Sequence, residues 1–150
     1  MRLLRFIAAL SFLGFAGCES LPESLASTVP PKVQVVDGKL EQVYFAAQQT
    51  FKRLDFILTR STMGSVEAAS AIHTSETFGD SKQLVARVSI HEAEPGKSEV
   101  ELWVTEEASS RSVGGTRRQP LRENGFFAHY FATLQQVLQE QGVVKSADKN

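Results

Sequence analysis

The stretch KQLVARVSIHEAEPGKSEVELWVTE, residues 82–106, contains the clearest structural pattern in the chain. Apolar and polar residues alternate on both sides of a Pro-Gly pair, which is typical of strands that bury one face and expose the other. The pattern predicts two antiparallel strands, 82–91 and 98–106, joined by a tight turn. Their inward faces carry Leu84, Ala86, Val88 and Ile90 on the first strand and Val100, Leu102 and Val104 on the second.

The turn of this hairpin permits a prediction about register. A Pro-Gly pair suits the central positions of a type II turn, which places the residues on either side of the pair opposite each other. Continuing that register would place Ile90, an inward residue, opposite Glu101, an outward residue. Side chains that oppose each other share a face, so we expect a bulge or a longer loop within residues 92–98.

Elements on both sides of the hairpin complete the expected fold. Residues 65–73 alternate in the same way, and residues 55–59 are a short apolar run; both are expected to be strands. Apolar residues at steps of three and four predict helices over 38–53, with Asp37 as the N-cap, and over 122–141. We therefore expect an α+β fold: one antiparallel sheet of three to four strands in a meander, with the N-terminal and C-terminal helices packed on one face.

Three other segments carry no sustained period. Prolines favour an extended tether over residues 18–36, and Ser, Gly and Arg favour a mobile loop over residues 105–119. The polar tail, 145–150, is expected to be flexible. The predicted organisation is a signal peptide (1–17), the tether, an α+β domain (37–144) and the tail.

The N-terminus has the order of features that export requires. Arg2 and Arg5 precede the apolar run 6–13, and small residues then lead to Cys18, the only cysteine in the chain. The apolar run is shorter than the about 20 residues that a permanent transmembrane helix needs. A lone cysteine in this place predicts lipidation, and the alternative is a stray thiol in a protein that is cleaved elsewhere.

The stretch Phe15-Ala16-Gly17-Cys18 resembles the lipobox of bacterial lipoproteins, although Phe15 occupies a position that usually carries Leu. The resemblance implies that the sulfur of Cys18 receives a diacylglycerol, that its amine receives a further acyl chain, and that the lipid anchors the protein to a membrane. Glu19 directly follows Cys18, at the position where an Asp favours retention at the inner membrane in this class of lipoprotein. In a Gram-negative host this implies the periplasmic face of the outer membrane.

The whole chain resembles small bacterial lipoproteins of an uncharacterised family, built from two helices against one antiparallel sheet. The matching features are the lipobox, the helix that ends near Leu54-Asp55-Phe56, the strand start Gly64-Ser65-Val66-Glu67-Ala68 and the aromatic final helix. That family has no agreed activity, so the resemblance implies a fold and an anchor but no reaction.

Charge and motifs exclude several kinds of function. Without residues 1–17 the chain has 14 basic and 17 acidic side chains, and a net charge of −3 gives no reason to expect nucleic-acid binding. Nucleophile-elbow, P-loop and dinucleotide motifs are absent from the sequence. His73 and His91 are expected at distant strand ends, roughly 20 Å apart, and His129 on an exposed helix face, so no metal site or cofactor is predicted.

The outward face of the hairpin is the remaining candidate site. It carries Trp103 among Arg87, Glu99 and Glu101, and two helices can cover only one face of a small sheet. An exposed tryptophan can anchor a protein partner because it buries a large area at low entropic cost. The alternative is that the tether or the 105–119 loop covers it.

Two classes of function remain, and a purely structural role is a third alternative. The first is a lipid-anchored envelope protein without catalytic activity, which binds an unknown envelope protein or helps assemble a complex at the outer membrane. The second is a periplasmic small-ligand carrier or an enzyme of unknown reaction. The absence of convergent polar groups favours the first.

Overall fold

The computed structural model of the chain describes residues 29–75, 79–110 and 114–142. The predicted signal peptide, Cys18, the first part of the tether and the tail lie outside the described residues. None of the helices in the described ranges is long and apolar enough to cross a membrane.

All of the described strands belong to one antiparallel sheet, and two helices pack against it. The order across the sheet is 1-6-5-3-2 in chain numbering, while the fourth strand pairs with the fifth and the seventh with the sixth. The elements are β1 (Lys32–Asp37), α1 (Leu40–Arg53), β2 (Ile57–Thr62), β3 (Ser65–Ala69), β4 (His73–Thr74), β5 (Ser81–Glu94), β6 (Lys97–Ser109), β7 (Thr116–Pro120) and α2 (Gly125–Glu140).

The expectation of three to four strands is wrong, because the sheet has seven strands within the described residues. All but the last residue of β1 lies in the segment 18–36 that was predicted to be a tether, and all but the last residue of β7 lies in the loop predicted over 105–119. The strand predicted over 65–73 is divided into β3 and β4. Both β1 and β7 pair with the long strand β6. Its backbone N–H and C=O groups supply hydrogen-bond partners to these two segments, whose own sequences favour a strand only weakly.

The predicted correction of register in the central hairpin is confirmed. Glu94 pairs with Lys97 beside the turn, the register shifts between Glu92 and Glu94, and Ile90 then pairs with Val100. This bulge restores the match between inward residues on β5 and β6. Gly96, at the tip of the turn, has a φ of +81°, which favours glycine.

Both helices begin later than the sequence indicated. α1 begins after Lys39 rather than Asp37, and the backbone N–H of Lys39 donates to Oε1 of Gln42 at 3.0 Å. α2 begins after Asn124, whose side chain accepts a hydrogen bond from the N–H of Phe126 at 2.9 Å. These side-chain acceptors satisfy backbone donors that the helix itself leaves free.

The core lies between the two helices and one face of the sheet. Val88 of β5 and Leu102 of β6 are fully buried there, together with Phe51 of α1 and Tyr130 of α2. The rings of Phe51 and Tyr130 lie 4.9 Å apart. Burial raises the pKa of Tyr130, and its hydroxyl has no hydrogen-bond partner among the described residues.

An ion pair joins the C-terminal ends of the helices at the surface. Nη1 of Arg53 donates to Oε1 of Glu140 at 3.0 Å. This hydrogen bond raises the pKa of Arg53 and lowers the pKa of Glu140. The pair is exposed, and the helices pack against each other through buried side chains such as Phe51 and Tyr130.

Candidate binding face

The side of the sheet that faces away from the helices carries a mixture of charged, aromatic and apolar side chains. Residues that are Cα partners in neighbouring strands share a face, and the partners of Trp103 and Arg87 therefore lie on this side. We call this surface the open face. Its side chains include Arg60, Glu67, Arg87, His91, Glu99, Glu101, Trp103, Val33 and Val35.

A row of four side chains crosses the centre of the open face. Arg60, Glu67, Arg87 and Trp103 are in register on β2, β3, β5 and β6. Nε of Arg87 lies 3.7 Å from Oε1 of Glu67, and its Cζ lies 6.0 Å from the centre of the Trp103 ring. The guanidinium is thus placed between a carboxylate and an aromatic face, an arrangement that orients the Trp103 ring.

Trp103 is half-buried, and the segments that might have covered it do not do so in the described ranges. β1 and β7, which replace parts of the expected tether and loop, lie beside β6 and extend the sheet. Pairing in the plane of the sheet leaves the side chains on the open face accessible, as the intermediate exposure of Trp103 shows.

Two carboxylates precede Trp103 on the same face of β6, directly beside the edge strand β1. Glu101 is the cross-strand partner of Val33, and Glu99 is the partner of Val35. Oε2 of Glu101 lies 3.7 Å from Nε2 of His91. Glu99 makes no ion pair with any described residue, whereas Lys97, the next residue on this face of β6, pairs with Glu94. The part of the edge beside Val33 and Val35 is therefore acidic and apolar.

The structure brings together four of the residues that the sequence singled out: Trp103, Arg87, Glu99 and Glu101. Cys18, the predicted lipidation site, lies outside the described residues. The sequence analysis missed Val33 and Val35, each 51% exposed, because they fell within the predicted tether. Their signal was the alternation of valine with polar residues just after Pro30-Pro31.

Three of the acidic residues of the central hairpin form ion pairs with Lys or Arg. Within the described ranges, no group of three or more His, Cys, Asp or Glu residues could hold a metal ion. The pKa of Lys97 is raised by its hydrogen bond to Glu94. The ion pairs are Glu94–Lys97 at 3.1 Å, Glu106–Lys82 at 3.4 Å and Glu107–Arg118 at 2.8 Å.

Two cavities lie away from the centre of the open face. One, of about 470 Å³, lies where β5, β6 and β7 end, and its lining includes Asp80, Lys82 and Arg117. One side-chain oxygen of Asp80, Oδ1, is buried without a hydrogen-bond partner among the described residues. The other cavity, of about 330 Å³, is a groove between β1 and the C-terminal half of α2.

Comparison with known proteins gives little further information. No protein-family model matches this chain, and no curated protein matches it. One similar solved structure is the adenylate sensor from AMP-activated protein kinase in complex with ZMP, with 11% identity over 67% of this chain and 93% of that chain and a TM-score of 0.43. A DUF4468 family protein from Bacteroides ovatus is also similar, with 13% identity over 73% of this chain and 80% of that chain and a TM-score of 0.34. TM-scores this low do not establish a shared fold.

Proposed function

We propose that this chain is a lipid-anchored envelope protein without catalytic activity, which binds a protein partner or helps assemble a complex at the outer membrane. The observation that carries the proposal is the position of Trp103, which lies half-buried on the open face and not in the core. Aromatic residues in such positions are frequent binding hot spots. The partner is an envelope protein, because the anchor confines the domain to that compartment.

The anchor part of the proposal is supported by the sequence around Cys18 and by its resemblance to uncharacterised small lipoproteins. Several acyl chains, at about 0.8 kcal/mol per buried methylene, give stable membrane attachment, whereas a single chain is marginal. An extended chain from Cys18 to Val29 spans at most about 40 Å. The open face would therefore meet partners close to the membrane surface.

Membrane attachment is tested by Cys18→Ser in the full-length protein. We expect this variant to leave the membrane fraction or to accumulate as an uncleaved precursor, because it lacks the sulfur that carries the lipid. Mass spectrometry of the N-terminal peptide of the native protein should show an acylated Cys18. A mature N-terminus mapped downstream of residue 18 would contradict the anchor.

Partner binding is tested by chemical crosslinking in intact cells that carry Trp103→Ala. We expect weaker crosslinks to one specific envelope protein at an unchanged level of the variant. Phe45→Ala is the matched control, because Phe45 is 50% exposed on α1, away from the open face. Equal crosslinking by both variants and the native protein would contradict a role for Trp103.

A small-ligand carrier is the second candidate, and the cavity of about 470 Å³ beside Asp80 is the observation that favours it. A ligand with a hydrogen-bond donor would satisfy the buried oxygen of Asp80. Native mass spectrometry of the protein released gently from membranes tests this alternative. A retained small molecule that Asp80→Ala abolishes would favour the carrier over the partner-binding protein.

A further inference from the structure

The outer edge of β1 presents backbone groups that have no partner among the described residues. The N–H of Gly38 donates to the carbonyl oxygen of Gly96 at 2.8 Å, in the same register as the β1–β6 pairs. Bonded pairs alternate along an antiparallel ladder, so the even-numbered residues of β1 bond to β6. The N–H and C=O groups of Val33 and Val35 therefore point away from the sheet.

The middle of this edge lacks the features that usually prevent strand addition, because the charged residues Lys32 and Asp37 lie only at its two ends. Natural edge strands are protected by charged side chains, proline or bulges. β1 instead presents two valines, each 51% exposed, and its pairing with β6 is regular from Lys32 to Asp37. The edge is thus a suitable template for one more strand.

The surroundings of the edge differ on its two sides. On the open face, Glu101 and Glu99 lie directly beside Val33 and Val35. On the helix side, the groove of about 330 Å³ has Val36 and Leu138 at its base and polar residues, among them Gln135 and Gln139, elsewhere in its lining. An added strand would place alternate side chains in these two environments.

We propose that β1 accepts an extended segment of a protein partner as an antiparallel strand whose residues alternate between basic and apolar. The basic side chains lie on the open face and reach across the valines toward Glu99 and Glu101, about 10 Å away over two strand spacings. The apolar side chains enter the groove beside Val36. This inference rests on the proposed function, because it specifies how the same partner would bind.

Charge distinguishes this occupant from a second copy of the chain. A β1–β1 pairing would place no cation beside Glu99 and Glu101, because the carboxylates of the two copies would face each other across three strand spacings, about 14 Å. A basic segment gains attraction at the same place.

The experiment uses a fluorescent octapeptide of alternating lysine and valine and the full-length protein purified in detergent. Anisotropy should report binding that weakens with added salt. An octapeptide of alternating glutamate and valine has the same strand pattern with the opposite charge, and we expect it to bind at least about tenfold more weakly. Equal binding by both peptides would overturn the charge argument.

Backbone methylation of the peptide tests strand formation directly. Residues opposite Val33 and Val35 are lysines in this geometry, and their N–H groups donate to β1. Methylating the lysine backbone nitrogens should weaken binding by about tenfold or more, because two hydrogen bonds are lost. Methylating the valine nitrogens, which face solvent, should have little effect. Equal effects of both modifications would overturn the proposed strand.

A pair of protein variants provides the reciprocal test. Val35→Pro removes an N–H that points away from the sheet and places a ring on the edge, so it should abolish peptide binding without loss of a ladder hydrogen bond. Val35→Thr retains the N–H and should bind the peptide as the native protein does. Peptide binding retained by Val35→Pro would overturn the assignment of β1.

The same variants separate this inference from the proposed function. If Val35→Pro retains the cellular crosslink while Trp103→Ala loses it, strand addition is wrong and partner binding through the open face stands. If neither variant changes the crosslink, the proposed function fails as well. A dimer in sedimentation that Val35→Pro dissociates, without peptide binding, would identify a second copy as the occupant and contradict the proposal.

Discussion

Leu102 and Trp103 are adjacent in β6 and lie on opposite faces of the sheet, so replacing each with alanine gives a direct test of the fold. Leu102 is 0% exposed and belongs to the core between the helices and the sheet. Trp103 is half-buried, and Arg87 is its cross-strand partner. Although tryptophan is the larger side chain, the structure predicts that its removal costs less.

The expected magnitudes follow from burial. Leu→Ala at a fully buried site costs about 3–5 kcal/mol, because the lost transfer free energy and the remaining cavity both contribute. Trp103→Ala removes the buried part of a ring on an open surface, where no enclosed cavity remains, and a solvent-accessible contact with Arg87; together these should cost about 1–2 kcal/mol. At about 4 °C per kcal/mol, Leu102→Ala should lower the Tm by 10 °C or more and Trp103→Ala by a few degrees.

Thermal and urea denaturation, both followed by circular dichroism, measure the Tm and the free energy of unfolding of both variants. Fluorescence is unsuitable, because Trp103 is the only tryptophan in the chain. The midpoint and slope together give the free energy of unfolding and show whether the unfolding remains two-state. A near-neutral Leu102→Ala, or a Trp103→Ala that is the more destabilising of the two, would mean that the faces of β6 are reversed.

Two further substitutions test particular groups. Tyr130→Phe removes a buried hydroxyl that has no partner among the described residues, so we expect the free energy of unfolding to stay unchanged or to rise by about 1 kcal/mol; a clear loss of stability in urea denaturation would show that the hydroxyl is bonded. Glu140→Gln tests the ion pair with Arg53, which lowers the pKa of Glu140 in the folded state. The pair therefore stabilises the fold above the unfolded-state pKa and ceases to do so as pH falls through the folded-state pKa. The stability difference between native protein and Glu140→Gln should be present at neutral pH and shrink below about pH 4, as measured by denaturation across pH; a difference independent of pH would exclude the ion pair as its cause.

The central hairpin and the two helices could be predicted because their patterns are long and strong. The alternation on β5 and β6, together with the Pro-Gly turn, was sufficient to predict the bulge before Glu94. β1 and β7 could not be predicted in this way. Each is a short segment whose strand conformation depends on pairing with β6, and such long-range pairing leaves little trace in local sequence.

The candidate site was also predicted only in part: the residues on β5 and β6 were predicted, and those on β1 were not. The period of two placed Trp103, Arg87, Glu99 and Glu101 on one face, and the register of β5 and β6 agrees. Val33 and Val35 were missed because the prolines before them indicated a tether. A segment that directly follows a proline pair can still form a strand when the edge of a neighbouring strand is available for pairing, as the edge of β6 is here.

The most direct test of the account is site-specific photocrosslinking in living cells. A photoreactive amino acid at Glu99 places the probe on the open face, and the same probe at Gln136 places it on the exposed side of α2. We predict a single strong crosslink to an envelope protein from position 99, weakened by Trp103→Ala, and none to that protein from position 136. Equal crosslinking from the two positions, or none from position 99, would contradict the claim that the open face is the binding surface.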